Sequence, residues 1–325
     1  MTKYDFNKII DRRNTDWLKC DFAIKRGRPA DVLPFWVADM DFPIAREIQE
    51  ALVERCQHAI FGYSESTEAY FHAVRDWYTK HFNWSPKAEW LTKTPGIVFA
   101  LAMAVKAITQ KGDGVLVQQP VYYPFSEIIE DNERKLINSP LILKNGHYEI
   151  NFADLEEKIG TNNVKLMLLC SPHNPVGRVG TRAELQNVGD ICLKHGVITV
   201  SDEIHGDFVW ENNSQTVFAS LGEQYEQNCV ICTAPSKTLI AEYCPEPNLF
   251  AVRIVTADAS ERDTVSSTRR SGRKMLTAAM ALAPNTPTII KSAAARKVIK
   301  MPSNAAGRAI RKYLPVNESL KLFIF

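Results

Sequence analysis

Short apolar segments that alternate with helical ones constrain this chain more than any other feature of its sequence. Strand-like runs such as residues 164–169 and 228–232 are apolar at nearly every position. A strand that is apolar on both sides must be buried on both sides, and the helices between such strands provide the cover. The pattern therefore predicts an α/β fold, with a mainly parallel sheet and helices on both faces.

The same periodicities place the individual elements. Helices are predicted at residues 44–58, 67–82, 97–109, 124–131, 152–159 and 182–195, and strands at residues 114–118, 135–140, 164–169, 197–200 and 228–232. In sheets of this kind, ligand sites lie beyond the carboxyl ends of the strands. Asn174, Asp202 and Lys237 each follow a predicted strand. We therefore expect these three side chains to lie near one another.

Length and composition indicate a globular protein. The 325 residues, of which 45% are hydrophobic, suffice for one large or two medium domains. The sequence has neither a long apolar run nor an N-terminal export pattern, so we expect a cytoplasmic protein without a membrane partner. Seven scattered cysteines fit a reducing compartment. Cys229 and Cys232 form a CxxC within an apolar run, which favours a buried strand over a metal or redox site.

Three motifs at strand ends carry side chains that could bind a cofactor or take part in catalysis. They are residues 171–177 (SPHNPVG), 201–205 (SDEIH) and 233–238 (TAPSKT). Together they offer an amide, a carboxylate and an amine, which suit a pyridine aldehyde such as pyridoxal phosphate. Asn174 would contact the phenol oxygen, Asp202 the ring nitrogen, and Lys237 would form a Schiff base with the aldehyde.

Each of these residues also has a plainer interpretation. Asn174 stands between prolines, where it would make a turn, and Asp202 would cap a following helix. Tyr122 could stack on a flat ring or be an ordinary core or interface aromatic. Gly96 precedes an apolar helix whose N–H groups could hold a phosphate, although a loop glycine is the commoner explanation. Lys237 alone is an ordinary solvated lysine, so the argument depends on the combination.

Five segments together resemble the class I/II aminotransferase superfamily, the pyridoxal-phosphate enzymes of fold type I. Within that superfamily they are most similar to the cystathionine β-lyase type of carbon–sulfur lyase. The segments are residues 35–42 (FWVADMDF), 61–64 (FGYS), 170–177 (CSPHNPVG), 201–205 (SDEIH) and 234–238 (APSKT). The resemblance covers about residues 4–238.

The resemblance implies a role for each site residue. Lys237 would bind the cofactor and act as the catalytic base, with Asp202, Asn174 and Tyr122 around the ring. The further cofactor contacts would be Gly96, Ile97, Ser236, His205 and Tyr63. His205 occupies a position where many aminotransferases place a tyrosine. Tyr63 would reach the phosphate of a neighbouring subunit, which implies a homodimer, and Trp36, Val37 and Tyr63 would shape the substrate side.

The implied reaction is α,β-elimination from a cysteine-like thioether, which gives a thiol, pyruvate and ammonia. Aminotransferase is the alternative, since both reactions begin with removal of the α-proton. A non-catalytic protein that keeps the cofactor platform and binds a partner is the alternative of another class. It is favoured by the absence of a recognisable carboxylate-binding arginine beyond Thr238. A chain whose altered C-terminal part leaves it inactive is a further alternative.

Charge divides the chain at about residue 238. Residues 1–238 contain 25 Lys and Arg against 31 Asp and Glu, and residues 239–325 contain 14 against 6. We expect an N-terminal arm and substrate-side segment at 1–43, a cofactor-binding large domain at 44–238, and an atypical basic region at 239–325. A shift of reading frame would generate the composition of that region, and a different C-terminal domain is the other interpretation. Without a recognition motif, its arginines do not indicate nucleic-acid binding.

Overall fold

The computed structural model describes residues 5, 7–62, 65–210, 212–238 and 320–324. The helices within them are α1 (Arg46–His58), α2 (Glu68–Phe82), α3 (Ile97–Ile108), α4 (Pro124–Asp131), α5 (Phe152–Thr161), α6 (Arg182–Lys194) and α7 (Glu223–Glu226). The strands are β1 (Leu91–Thr92), β2 (Gly114–Val117), β3 (Lys135–Asn138), β4 (Ile142–Lys144), β5 (His147–Glu149), β6 (Val164–Cys170), β7 (Ile198–Asp202), β8 (Asn228–Cys232) and β9 (Leu320–Ile324). None of these helices is long and apolar enough to cross a membrane.

A single seven-stranded sheet organises the described chain. Its strand order is β1-β9-β8-β7-β6-β2-β3, and neighbouring strands run parallel throughout. The strands β4 and β5 form a separate antiparallel hairpin. The predicted parallel α/β fold is thus confirmed. Of the basic region at 239–325, the structure describes β9, which lies between β1 and β8 and joins the edge strand to the rest of the sheet.

The two faces of the sheet are covered by different helices, as the apolar strands predict. In β6, Met167 and Leu169 belong to an apolar cluster that includes residues of α5 and α6. Leu166 and Leu168 belong to a second cluster with residues of α3 and α4. These four side chains are at most 3% exposed. Burial of each stabilises the fold by about 1.5–3 kcal/mol, so β6 is a central element of the core.

The helices and strands that the sequence predicts exist, with ends that differ by at most two residues. Two of these differences matter for the site: the predicted ends of β6 and β7, at residues 169 and 200, are wrong. The strands continue to Cys170 and Asp202, and Asp202 pairs with Cys170 on one side and with Cys232 on the other. Asp202 is therefore part of the central sheet. Its charge made the strand look shorter than it is.

Candidate functional site

The loops that follow β2, β6, β7 and β8 meet at the carboxyl edge of the sheet, because these strands are neighbours. The Tyr122 N–H donates to the Asn174 carbonyl oxygen at 2.9 Å. The Ser171 N–H donates to the Asp202 carbonyl oxygen at 3.1 Å. Three of the loops that carry the predicted site residues are thus joined, directly or through β7, by main-chain hydrogen bonds.

Asp202 is a carboxylate buried at the end of a central strand. It is 5% exposed, and the Ile204 N–H donates to its Oδ1 at 3.2 Å. Burial raises the pKa of Asp202 to about 7, while the Ile204 N–H and the charge of Lys237 act in the opposite direction. The chain turns at residues 204–207 where a capped helix was the alternative interpretation, so that alternative is wrong. The carboxylate is under-compensated and suited to a cationic ligand.

Lys237 lies close enough to Asp202 and His205 for its charge to act on both. His205 is half-buried, and burial followed by the Lys237 charge lowers its pKa to about 4. The imidazole is therefore neutral near pH 7, where it can donate one hydrogen bond and accept another. Ser236, which precedes the lysine, is buried. The structure thus brings together the carboxylate at the end of β7, the neutral imidazole from the loop after β7 and the amine from the loop after β8.

Asn174 begins a turn after β6. Contacts of the neighbouring residue His173, and not of the Asn174 side chain, hold this loop. The His173 ring places Nε2 3.2 Å from the Gln118 carbonyl oxygen. Because burial lowers the pKa of His173 to about 4, the ring is neutral and Nε2 is the atom that donates. The turn interpretation of Asn174 and its availability to a ligand are therefore compatible. Tyr122 is 37% exposed and packs edge-on against Tyr123, so it is not a core aromatic.

Gly96 is the N-cap of α3, with φ +115°, which a side chain would strain. Gly96 and Ile97 are buried, and α3 begins at Ile97 on the face of the sheet that α4 also covers. The N–H groups of its first turn lack intrahelical acceptors, which gives this end of the helix an affinity for anions. This geometry is compatible with a phosphate contact at Gly96 and Ile97, and phosphate binding by these residues stays a prediction.

Glu203 is a buried side chain that sequence reasoning missed as a structural anchor. Its Oε1 accepts from the Ser201 hydroxyl and from the Phe218 N–H, each at 2.9 Å. Its Oε2 accepts from the Gln215 amide at 3.3 Å. Burial raises the pKa of Glu203 to about 7, and these donors oppose the rise. The carboxylate ties the chain after β7 to the segment at residues 215–218, and the SDEIH motif contained the signal for it.

The segment at residues 35–42, which is predicted to lie on the substrate side, is held by residues of the predicted N-terminal arm. The carboxylate of Asp39 contacts Lys19 at 2.6 Å and Arg12 at 2.9 Å. It also accepts from the indole N–H of Trp17 at 3.0 Å. Burial alone would raise the pKa of Asp39, but these donors lower it overall. Through its hydrogen bond, Trp17 helps to hold residues 12–19 against the segment that contains Asp39.

Trp36 and Val37 lie in that substrate-side segment. The guanidinium groups of Arg26 and Arg28 lie 5.4 and 5.0 Å from the Trp36 ring. Val37 is 43% exposed and has φ +62°, a strained conformation for a β-branched residue. The described contacts do not link either residue to Lys237, so their substrate role remains a prediction. Tyr63 lies outside the described residues.

A parallel sheet covered on both faces, with an amine, a carboxylate and an amide at its carboxyl edge, is the arrangement of the fold type I class of pyridoxal-phosphate-dependent proteins. The chain belongs to the aminotransferase class I and II family, whose profile matches residues 31–241.

Relatives within this family include carbon–sulfur lyases. The chain is 44% identical to cystathionine β-lyase PatB of Bacillus subtilis over 72% of its own length and 60% of that protein. It is 34% identical to MalY of Escherichia coli over 64% of its own length and 53% of that protein. Cystalysin from Treponema denticola, solved with pyridoxal 5'-phosphate, superposes with a TM-score of 0.69 at 38% identity, over 82% of this chain and 68% of that one. The chain thus spans little more than half the length of these two curated relatives.

Proposed function

We propose that this chain binds pyridoxal 5'-phosphate and is a carbon–sulfur β-lyase that cleaves cysteine-like thioethers to a thiol, pyruvate and ammonia. The observation that carries the proposal is the placement of Lys237, whose charge acts on both Asp202 and His205. The similarity to lyases such as cystathionine β-lyase PatB supports the reaction type. When bound, this cofactor serves as an electron sink for the negative charge that develops on the substrate α-carbon.

The residues present fit this cofactor. The buried Asp202 carboxylate, with a pKa of about 7, gains a counter-charge from a protonated pyridine nitrogen. The Asn174 side-chain amide makes no hydrogen bond to the described residues, so its N–H group is available to a phenolate oxygen. Gly96 and Ile97 at the start of α3, with Ser236, would hold the phosphate. Tyr122 would cover one face of the ring.

The protein side chains divide the remaining work. Lys237 would hold the cofactor through its aldehyde, and its free amine would take the proton from the substrate α-carbon. Asp202, ionised when paired with a cation, would hold the proton on the ring nitrogen. His205, neutral because of burial, donates or accepts a hydrogen bond beside Lys237 without adding charge. Trp36, Val37 and Tyr63 would shape the substrate side.

Cofactor capture by Lys237 is the first test. The full chain, mixed with pyridoxal phosphate, should show a visible band near about 420 nm that borohydride removes while fixing the cofactor to the protein. Lys237→Ala should abolish the band and the fixation. Lys194→Ala is the matched control, because Lys194 lies on the surface in a pair with Glu156. A folded wild-type chain without the band would refute the proposal.

Reaction type is the second test. Cystathionine should yield pyruvate without any added keto acid, and turnover should require Lys237. An aminotransferase would instead require a keto-acid acceptor, and more distant relatives with that activity, such as the asparagine–oxo-acid transaminase of Streptococcus mutans, make it the second candidate. A bound cofactor without turnover of any amino acid would favour the non-catalytic alternative.

We further infer that the working unit is a cytoplasmic homodimer. Exposed apolar side chains support the dimer: Leu33 is 73%, Phe35 91% and Ile60 70% exposed. They flank the segments that contain Trp36 and Tyr63, so a partner subunit would cover them near the substrate side. Sedimentation equilibrium should give twice the chain mass, and Phe35→Ser should weaken the association. The dispersed cysteines support a reducing compartment, which cell fractionation would test.

A further inference from the structure

The loop that carries Lys237 is held at both of its ends by the same helix. At the start of the loop, the Tyr78 hydroxyl of α2 hydrogen-bonds the side chain of Thr233. At its end, the Thr238 hydroxyl donates to Oδ2 of Asp207. The other oxygen of that carboxylate, Oδ1, accepts from the indole N–H of Trp77 at 3.1 Å. Consecutive residues of α2 are thus connected to both ends of the segment at residues 233–238, Tyr78 directly and Trp77 through Asp207.

The helix side of this connection is rigid. Trp77 stacks on His81 with ring centroids 4.1 Å apart and planes 22° apart, which fixes the direction of its N–H group. Tyr78 is 4% exposed and packs against Phe82 and Trp84. Burial raises the pKa of Tyr78 above its usual range, so its hydroxyl keeps its proton. The groups that meet the lysine loop therefore come from a fixed surface.

The Asp207 side of the connection is also anchored. The chain from Glu203 to Phe208 forms two turn hydrogen bonds, from Gly206 N–H to the Glu203 carbonyl and from Phe208 N–H to the His205 carbonyl, each at 2.9 Å. The Glu203 N–H in turn donates to the Cys232 carbonyl oxygen at 2.8 Å. Asp207 therefore projects from a turn that is bonded to the end of β8, the strand from which the lysine loop departs.

We propose that Asp207 is a positioning residue for Lys237. Its carboxylate links Trp77 to Thr238 and so fixes the loop that keeps the Lys237 amine beside Asp202. The cofactor-binding role of Lys237 rests on the proposed function. The link between Asp207 and the loop, in contrast, is present in the chain without cofactor. The two can therefore be tested separately.

The chemistry of the link predicts which substitutions it tolerates. A carboxylate accepts from two donors at once, and Asp207→Ala removes both acceptors. Asp207→Asn keeps one acceptor oxygen for the Trp77 N–H, and the Thr238 hydroxyl can rotate to accept from the new amide. We therefore expect Asn to restore most of what Ala loses. Thr238→Val should act like Asp207→Ala, whereas Thr238→Ser should act like the wild type.

Hydrogen exchange of the full chain without cofactor tests the link itself. We expect amides in residues 233–238 to exchange about tenfold faster in Asp207→Ala and in Thr238→Val, the factor that corresponds to one net hydrogen bond. The double variant should exchange no faster than Asp207→Ala alone, because Asp207→Ala already removes the hydrogen bond from Thr238. Asp76→Asn, an exposed carboxylate on α2 paired with Arg75, is the matched control and should exchange like the wild type.

Capture of pyridoxal phosphate tests the consequence for Lys237. Borohydride fixation at Lys237 should be about tenfold slower in Asp207→Ala, near wild-type in Asp207→Asn and unchanged in Asp76→Asn. Wild-type protein that captures no cofactor would refute the proposed function and leave the exchange result to decide the link. Unchanged exchange and capture in Asp207→Ala, or additive effects in the double variant, would overturn the positioning role.

Discussion

Replacing Asp202 by Asn should stabilise the chain in the absence of cofactor, and the gain should grow with pH. Burial raises the pKa of Asp202 from its usual 3.8 to about 7. Because the folded-state pKa lies above the unfolded value, ionisation costs folding free energy once the pH exceeds about 4, and the cost becomes constant above about 7. A rise of about three pKa units corresponds to about 4 kcal/mol. Asn keeps the size of the side chain and an acceptor for the Ile204 N–H.

Urea unfolding of the two proteins between pH 5 and pH 8 measures this cost. The difference in free energy of unfolding should increase by roughly 2 to 3 kcal/mol over that range. The negative charge of Asp202 also raises the pKa of the neighbouring Glu203. Asp202→Asn removes this charge, so the ionisation of Glu203 costs less folding free energy and the variant gains further stability at high pH. Glu89→Gln, a substitution of an exposed carboxylate, should show no such trend. A difference that is flat with pH, or a variant less stable than wild type at pH 8, would refute the reasoning.

Two further substitutions and one deletion follow from the fold and the arm. Asp39→Asn should speed tryptic cleavage within residues 12–28 several-fold, because it weakens the ion pairs of Asp39 with Arg12 and Lys19. The control Asp31→Asn, at an exposed carboxylate, should leave cleavage unchanged. Deletion of residues 320–325 removes a strand that pairs with five residues of β8 and two of β1, so the urea midpoint should fall; an unchanged midpoint would contradict the pairing. Val37→Gly should stabilise the chain by up to about 1 kcal/mol, since glycine adopts φ +62° without strain, and Val32→Gly, at ordinary φ, should destabilise it.

Strands buried on both faces could be predicted from the sequence because nearly every position along them is apolar. Residues 228–232 were predicted with both ends correct for that reason. The strand β1 spans two residues, too few for any periodicity, and β9 takes its place through pairing with strands far away along the chain. The β4–β5 hairpin had a readable signal, Asn145-Gly146, whose positive φ angles of 52° and 81° make the turn.

Residues that carry out the chemistry could be predicted from the sequence better than residues that position them, for a physical reason. Lys237 and Asp202 belong to loops and strand ends that local hydrophobicity locates, so their approximate meeting follows from the rule for parallel sheets. Trp77 and Asp207 are 130 residues apart, and only the packing of α2 against the sheet edge brings the indole within 3.1 Å of the carboxylate. The burial of Asp202 affects both its chemistry and its position. Exclusion of water makes its ionisation costly without a ligand, and the same exclusion strengthens its attraction to a cationic ring. A sequence pattern can predict that such a carboxylate is present. The free-energy cost, which determines how strongly it selects a cation, depends on the packing of β6 and β8 on either side.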